Sequence, residues 1–253
     1  MEEERKTTAC VRFWGVRGSI PSPGPRTAAV GGNTSCVEVC LGGQRIIIDG
    51  GSGLRQLGAA RGGRPLSATM LFSHLHWDHI QGVPFFAPLF HPGSELDLYG
   101  PVGLGEALHR QMSRPTFPVG PEVFTARWAL HDVAPGDRFH VGGVEISTLA
   151  LRHPGGVIGY RLAHEALSLV YLCDYEPPAE GLDEDVVAFA AGADVLIVDA
   201  QYLPEEAPRR VGWGHGTWEK AVELARASSA ARLVLTHHDP ARDDAGVLAL
   251  EER

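Results

Sequence analysis

The run Ala68-Thr69-Met70-Leu71-Phe72 has the length and flanks of a buried strand, and it leads directly into Ser73-His74-Leu75-His76-Trp77-Asp78-His79. Three histidines and a carboxylate therefore crowd one strand's C-terminal exit. Imidazole nitrogen suits zinc, iron, manganese or nickel, and carboxylate oxygen suits the harder of these. Alternation places His74 and His76 on one side, while Asp78 and His79 turn away as the chain leaves the strand. Two metals bound side by side is the reading that uses all four groups. A hydrophilic loop that merely collects histidines is the plain alternative, and four ligand-type residues within six positions speak against it. A dinuclear site needs further ligands downstream, so the remaining chain tests the idea.

With 253 residues and ordinary apolar content, one substantial core is within reach, and residues 1–253 are expected to form a single domain. No repeat and no linker-like segment interrupts the chain; only Met1 to Thr7 and Asp243 to Arg253 read as frayed ends. A formal charge of −9 disfavours coating of extended nucleic acid, which depends on neutralising many phosphates, but leaves a small anionic substrate open. The opening Met1-Glu2-Glu3-Glu4-Arg5-Lys6 lacks the apolar core of a signal peptide, and no segment has the length of a membrane helix. A cytoplasmic protein without membrane contact is expected. Cys10, Cys36, Cys40 and Cys173 have no C-x-x-C spacing and read as reduced, mostly buried thiols.

Further strand exits carry candidate ligands. Residues 144–151 form a β-rich run ending at Arg152-His153, and a hairpin over 159–172 ends at Cys173-Asp174-Tyr175. Residues 232–236 read as a buried strand ending in His237-His238. Upstream, a hairpin through Gly42-Gly43 ends at Asp49, whose glycine neighbours permit a tight turn and whose carboxylate is placed to orient a ligand's second nitrogen. Gly214-His215-Gly216-Thr217 precedes a helical pattern over 218–228, with Thr217 as its N-cap. Arg17, Arg152 and Tyr175 lie in site-proximal loops, as candidates for phosphate or base contact.

The H-x-H-x-D-H motif after a strand resembles the metallo-β-lactamase-fold hydrolases, and the later His153, Asp174 and His237 follow that family's order. The G-H-x-T element at 214–217 is similar to that of the phosphodiesterase branch, which includes ribonuclease Z and cyclic-phosphate hydrolases. Phe13-Trp14-Gly15-Val16-Arg17-Gly18-Ser19-Ile20-Pro21 and Gly31-Gly32-Asn33-Thr34-Ser35 resemble the opening of bacterial phosphodiesterase-like members. The resemblance implies an α/β (α+β) four-layer αβ/βα sandwich with two mixed β-sheets and two divalent metal ions, zinc foremost, with Mn2+, Fe2+ or Ni2+ as alternatives. It further implies that His74, His76 and His153 hold one metal, that Asp78, His79 and His237 hold the other, and that Asp174 bridges them. His238 falls outside that set, as an outer-shell or exposed group. An aspartate at the bridge suits hydrolysis by a hydroxide shared between the cations.

The implied activity is cleavage of a small phosphodiester, a cyclic nucleotide or ribose cyclic phosphate. His215 would donate a proton to the leaving oxygen, and Asp78 would position the nucleophile or take its proton. Arg17, Thr217, Asp49 and His238 are the outer-shell or substrate-binding candidates. No inserted Gly/Pro-rich arm lies between His153 and Asp174, where ribonuclease Z commonly grips tRNA. The competing readings are an RNA or DNA end-directed nuclease, a thioester or lactone hydrolase, and a non-catalytic metal-binding regulatory module. A homodimer would fit the family.

Overall fold

In the computed structural model, which describes residues 9–252, side-chain alternation decides the layering. Strands β1 (Cys10–Gly15), β2 (Cys36–Leu41), β3 (Gln44–Ile48), β4 (Ser67–Leu71), β5 (Glu95–Gly100) and β6 (Arg127–Asp132) form one sheet in that order. The second sheet runs β12 (Leu233–Thr236), β11 (Val195–Asp199), β10 (Leu167–Leu172), β9 (Val157–His164), β8 (Val144–Leu151) and β7 (Arg138–Val141). Both sheets are mixed: β3 to β6 pair in parallel and β1 to β3 antiparallel, while β10 to β12 pair in parallel and β7 to β10 antiparallel.

Successive residues point to opposite faces of a strand. Ile46, Ile48, Leu71, Tyr171 and Ile197 thus enter the core between the sheets. Their neighbours Ile47, Met70 and Phe72 pack outward under helices α1 (Gly53–Ala60) and α3 (Leu104–Gln111). Val170, Leu172, Leu196 and Val198 pack outward under α4 (Glu184–Ala190) and α5 (Trp218–Ala227). Helix, sheet, sheet and helix are therefore the four layers, as the resemblance implied, and strands with two apolar faces follow from being covered on both. Two hydrogen bonds stitch the sheets near the histidine loop: the Tyr160 hydroxyl donates to the Phe72 carbonyl (2.8 Å), and the Ile158 N–H to that of Ser73 (2.9 Å).

Three elements depart from the sequence reading. The motif loop contains a one-turn helix, α2 (Trp77–Ile80). Strand β7, whose Arg138-Phe139-His140-Val141 alternation spans only four residues, pairs with β8. The C-terminal stretch read as frayed instead forms α6 (Asp244–Glu251), capped when the Asp243 carboxylate accepts the Gly246 N–H at 2.9 Å. The other stretch read as frayed, Met1 to Thr7, lies outside the described residues. Among the described residues no helix is long and apolar enough to cross a membrane.

Candidate metal centre

Parallel strands expose their C-terminal ends at the same sheet edge, and here those ends meet. Asp49 follows β3, His74 and His76 follow β4, His153 follows β8, Asp174 follows β10, Asp199 ends β11, and His237 follows β12. Asp49, Asp174 and His237 adopt positive φ values of 62°, 55° and 56°. A side chain in that left-handed region costs about 1–3 kcal/mol, a cost the surrounding structure must hold in place. The sharp exits suit a site in which several strand ends converge on one point.

That point is Asp174, which is 1 % exposed. Its Oδ1 lies 3.2 Å from His79 Nε2 and 3.1 Å from His237 Nε2, and its Oδ2 lies 3.6 Å from both His74 Nε2 and His153 Nε2. His74, His76, His153 and Asp174 offer one ligand atom each, all within 4.8 Å of one another. Asp78 joins the other side: its Oδ2 lies 3.3 Å from His237 Nε2 and 3.5 Å from His79 Nε2, and it accepts the Ser19 N–H at 2.7 Å. The structure thus brings together all seven residues that the sequence singled out as ligands.

The donor set tests whether cations fit. His74 Nε2 and His237 Nδ1 are buried without a hydrogen-bond partner, and His79 Nε2 faces His237 Nε2 at 3.3 Å. Protons carried on both of these nitrogens would repel across that gap. Burial, reinforced by neighbouring histidines, keeps His74 well below the ordinary imidazole value, and burial also lowers His76 and His153. Their lone pairs are thereby free for coordination. Burial pushes His79 and His237 down too, but carboxylates outweigh it: Asp174, Asp49 and Asp78 raise His79, while Asp174, Asp78 and Asp199 bring His237 to about 9. Asp174 is held well below the carboxylate range because His237, His79 and His74 outweigh the effect of its burial. Left to itself, the cluster draws protons to offset its carboxylates, and divalent cations would do this with the nitrogens deprotonated. The residues fit divalent ions.

An outer ring fixes the imidazoles. His79 Nδ1 donates to Asp49 Oδ2 at 2.8 Å, and the same carboxylate accepts the Ser73 N–H (2.8 Å) and the Tyr171 hydroxyl (2.8 Å). His153 Nδ1 donates to the Gly214 carbonyl at 2.8 Å. Such partners set the tautomer that leaves Nε2 toward a cation. Gly214 has φ +89°, and a Cβ there would collide with His153 Nδ1. Gly214→Ala should therefore weaken metal binding on the His74/His76/His153 side about 10–100-fold, read by competition titration with a chromogenic chelator.

Sequence reasoning missed Asp199 as a site residue. It is 1 % exposed; its Oδ2 accepts His215 Nδ1 at 2.7 Å, and its Oδ1 accepts the Gln201 and Gly216 N–H groups. His215 Nδ1 is also 4.0 Å from Asp174 Oδ2. The signal was present: Leu196-Ile197-Val198-Asp199 repeats the apolar-run-then-aspartate pattern of Ile46-Ile47-Ile48-Asp49. Cys173 also reaches the site, donating from Sγ to Asp174 Oδ1 at 3.1 Å; burial raises this thiol, so it stays protonated. All four cysteines are free, and Cys10 is exposed rather than buried.

Several candidates are occupied elsewhere. The Arg17 guanidinium is fully buried, donating to the carbonyls of Gly31 and Arg242 and lying 3.6 Å from Asp244, so it ties the N-terminal loop to α6 instead of meeting the cluster. Thr217 caps α5, its hydroxyl accepting the Lys220 N–H at 3.3 Å. Arg152 and Tyr175 both bind Asp183.

His238 is 4 % exposed, and its backbone pairs with Val16 and Gly18. Burial, with Arg17 and Arg242 close by, brings His238 down to about 3. The unfolded chain takes up this proton near 6.5 while the folded chain refuses it. Stability is thus whole above that value and drains away as pH falls toward 3. His238→Gln should remove this contribution, so that between about pH 6 and 4 the wild type loses about 1.4 kcal/mol per unit more than the variant, measured by urea unfolding.

Two mixed six-stranded sheets with this edge site define a metallo-β-lactamase-type sandwich. The sequence profile of the β-lactamase superfamily domain matches residues 44–238, and the chain belongs to that family of hydrolases. It is similar to ribonuclease Z of Mycolicibacterium gilvum, with 29 % identity over 249 residues covering 87 % of this chain and 82 % of that one. Among solved structures it resembles the short form of human tRNase Z (TM-score 0.70, 22 % identity, 90 % and 92 % of the two chains). A diphosphatase of the PhnP family is also similar (TM-score 0.69, 21 % identity, 92 % and 87 %).

Proposed function

We propose that this chain is a dinuclear metal-dependent phosphodiesterase acting on small phosphodiesters such as cyclic nucleotides or ribose cyclic phosphates. The observation that carries the reading is the Asp174 carboxylate set between two histidine groups, with the Asp199–His215 pair beside it. His74, His76, His153 and Asp174 would hold one cation, and Asp78, His79, His237 and Asp174 the other. Zinc suits this nitrogen-rich set best, with manganese, iron or nickel as alternatives. Cations held there would supply Lewis-acid polarisation of phosphoryl oxygens and a lowered pKa for water.

The protein's own groups do the rest. Asp199 accepts the His215 Nδ1–H hydrogen bond and so supports the doubly protonated ring, whose Nε2–H would pass its proton to the departing alkoxide and leave the neutral Nδ1–H imidazole. Asp78, oriented by the Ser19 N–H, positions the attacking water and accepts its proton. One domain carries the whole site in this reading, in a cytoplasmic protein whose four thiols stay reduced.

The β9–β10 connection favours a small substrate. It turns between His164 and Leu167 with no arm to grip a folded RNA, and the charge of −9 points the same way. RNA 3′-end cleavage is the second reading, favoured by the ribonuclease Z relative that aligns over most of both chains. Metal-loaded protein should hydrolyse bis(p-nitrophenyl) phosphate faster than p-nitrophenyl phosphate or a lactone. Cyclic nucleotides should be cleaved with little salt dependence, whereas a steep salt slope with preference for long RNA would favour the second reading. Turnover of the lactone alone would sink both.

A further inference from the structure

The buried cluster reaches solvent on one side. His76 is exposed, with Nδ1 3.1 Å from His153 Nε2, and Pro154, Gly155 and Gly156 beyond His153 are exposed as well. The 210–214 turn is attached to this opening, because the Gly214 carbonyl accepts His153 Nδ1. The turn is itself clamped: the Glu176 carboxylate accepts the Gly212 N–H at 2.7 Å through one oxygen and the Gly214 N–H at 2.6 Å through the other. The Trp213 N–H closes it by donating to the Arg210 carbonyl at 3.1 Å. A loop with no role beyond linking β11 to α5 has no need of a buried-site histidine and a two-pronged carboxylate to hold it.

What the clamped turn presents is Trp213, 62 % exposed and without a ring or cation partner among the described residues. Its Cα is about 3.8 Å from that of Gly214, and His215 follows directly. The indole thus belongs to the turn whose next residue, Gly214, is bonded to His153 at the cluster's solvent opening. The other exposed indole near the motif, Trp77, lines a separate groove with Ile80, Ala107 and Gln111.

We propose that Trp213 is a specificity determinant whose indole stacks the nucleobase of a nucleoside phosphodiester, with Glu176 as the positioning residue that holds the turn. This rests on the phosphodiesterase reading and deepens it from phosphodiesters in general to base-bearing ones. Every base offers a π-face to an aromatic side chain, so the contact selects for a base without selecting its identity. Arg210, seated 4.8 Å over the Tyr202 ring, braces the turn from behind.

The test uses the metal-loaded full chain and two diesters with one leaving group, thymidine 5′-(p-nitrophenyl phosphate) and methyl p-nitrophenyl phosphate. Wild type should prefer the thymidine ester in kcat/KM. Trp213→Ala should lose about tenfold more on the thymidine ester than on the methyl ester, and Trp213→Phe should restore most of that ratio. Binding of thymidine 5′-monophosphate measured by calorimetry, a readout independent of turnover, should weaken in parallel, whereas binding of methyl phosphate should not. Glu176→Gln, which keeps one of the two acceptors, should shift the ratio in the same direction by less. Equal losses on both esters, or no wild-type preference, would overturn the proposal while leaving the phosphodiesterase reading intact. Wild type that hydrolyses neither ester would remove that reading and this one together.

Discussion

Asp174→Asn should lower diester turnover about 10³-fold and strip the protein of stably bound metal. Asparagine keeps the volume and can accept one hydrogen bond, but it removes the negative charge on which four imidazoles converge at 3.1–3.6 Å. That charge is the principal force raising His79 and His237, so the variant's imidazoles should also lose their attraction for protons, and for cations, together. Elemental analysis after gel filtration and a bis(p-nitrophenyl) phosphate assay read the two effects on one sample. The substitution leaves the core between the sheets untouched, so thermal unfolding of the metal-free forms should show a cooperative transition in both. An asparagine variant that retained full metal content and turned over within tenfold of wild type would show that Asp174 is not the hub.

His215→Ala should separate chemistry from metal binding. The imidazole lies 4.0 Å from Asp174 and is bonded through Nδ1 to Asp199 at 2.7 Å, and the proposed reading makes it a proton donor beside the cluster in place of a ligand. Removing a general acid costs about 10²–10⁴ in kcat, while metal content should stay at the wild-type level. The deficit should be largest with alkyl leaving groups and smallest with p-nitrophenolate, which departs as a stable anion and needs little protonation. Asp199→Asn should fall between wild type and His215→Ala, because the imidazole remains but loses the carboxylate that orients it. A uniform loss across leaving groups, accompanied by loss of metal, would instead make His215 a ligand.

The parts of the site that could be read in advance share a local signature. His74, His76, His153, Asp174 and His237 each follow an apolar run directly, so the strand pattern and the chemistry lie side by side in the chain. Ile46-Ile47-Ile48 and Leu169-Val170-Tyr171-Leu172 were legible as strands from their short apolar, β-branched-rich runs, whereas their stacking into four layers came from the family resemblance and not from the runs themselves. Asp199 escaped because its role arises from strand order: β11 lies between β10 and β12, which sets Asp199 between the exits bearing Asp174 and His237. Arg17 misled in the opposite sense. A cation in a Gly/Pro-rich loop is usually solvated, but the partners that bury this one, Arg242 and Asp244, are more than two hundred residues away. Glu176 carries no signal of its own, as its two backbone partners belong to a turn formed 36 and 38 residues later.

In the proposed function this cluster works as a two-cation centre for phosphodiester cleavage. Its most direct test is a titration of chelator-treated protein with Zn2+ and, separately, Mn2+, following bis(p-nitrophenyl) phosphate hydrolysis and bound metal together. The account predicts negligible activity without metal and turnover that climbs until two ions are bound per chain. Full activity in metal-free protein, or saturation of metal binding with no diester hydrolysis under either ion, would contradict it.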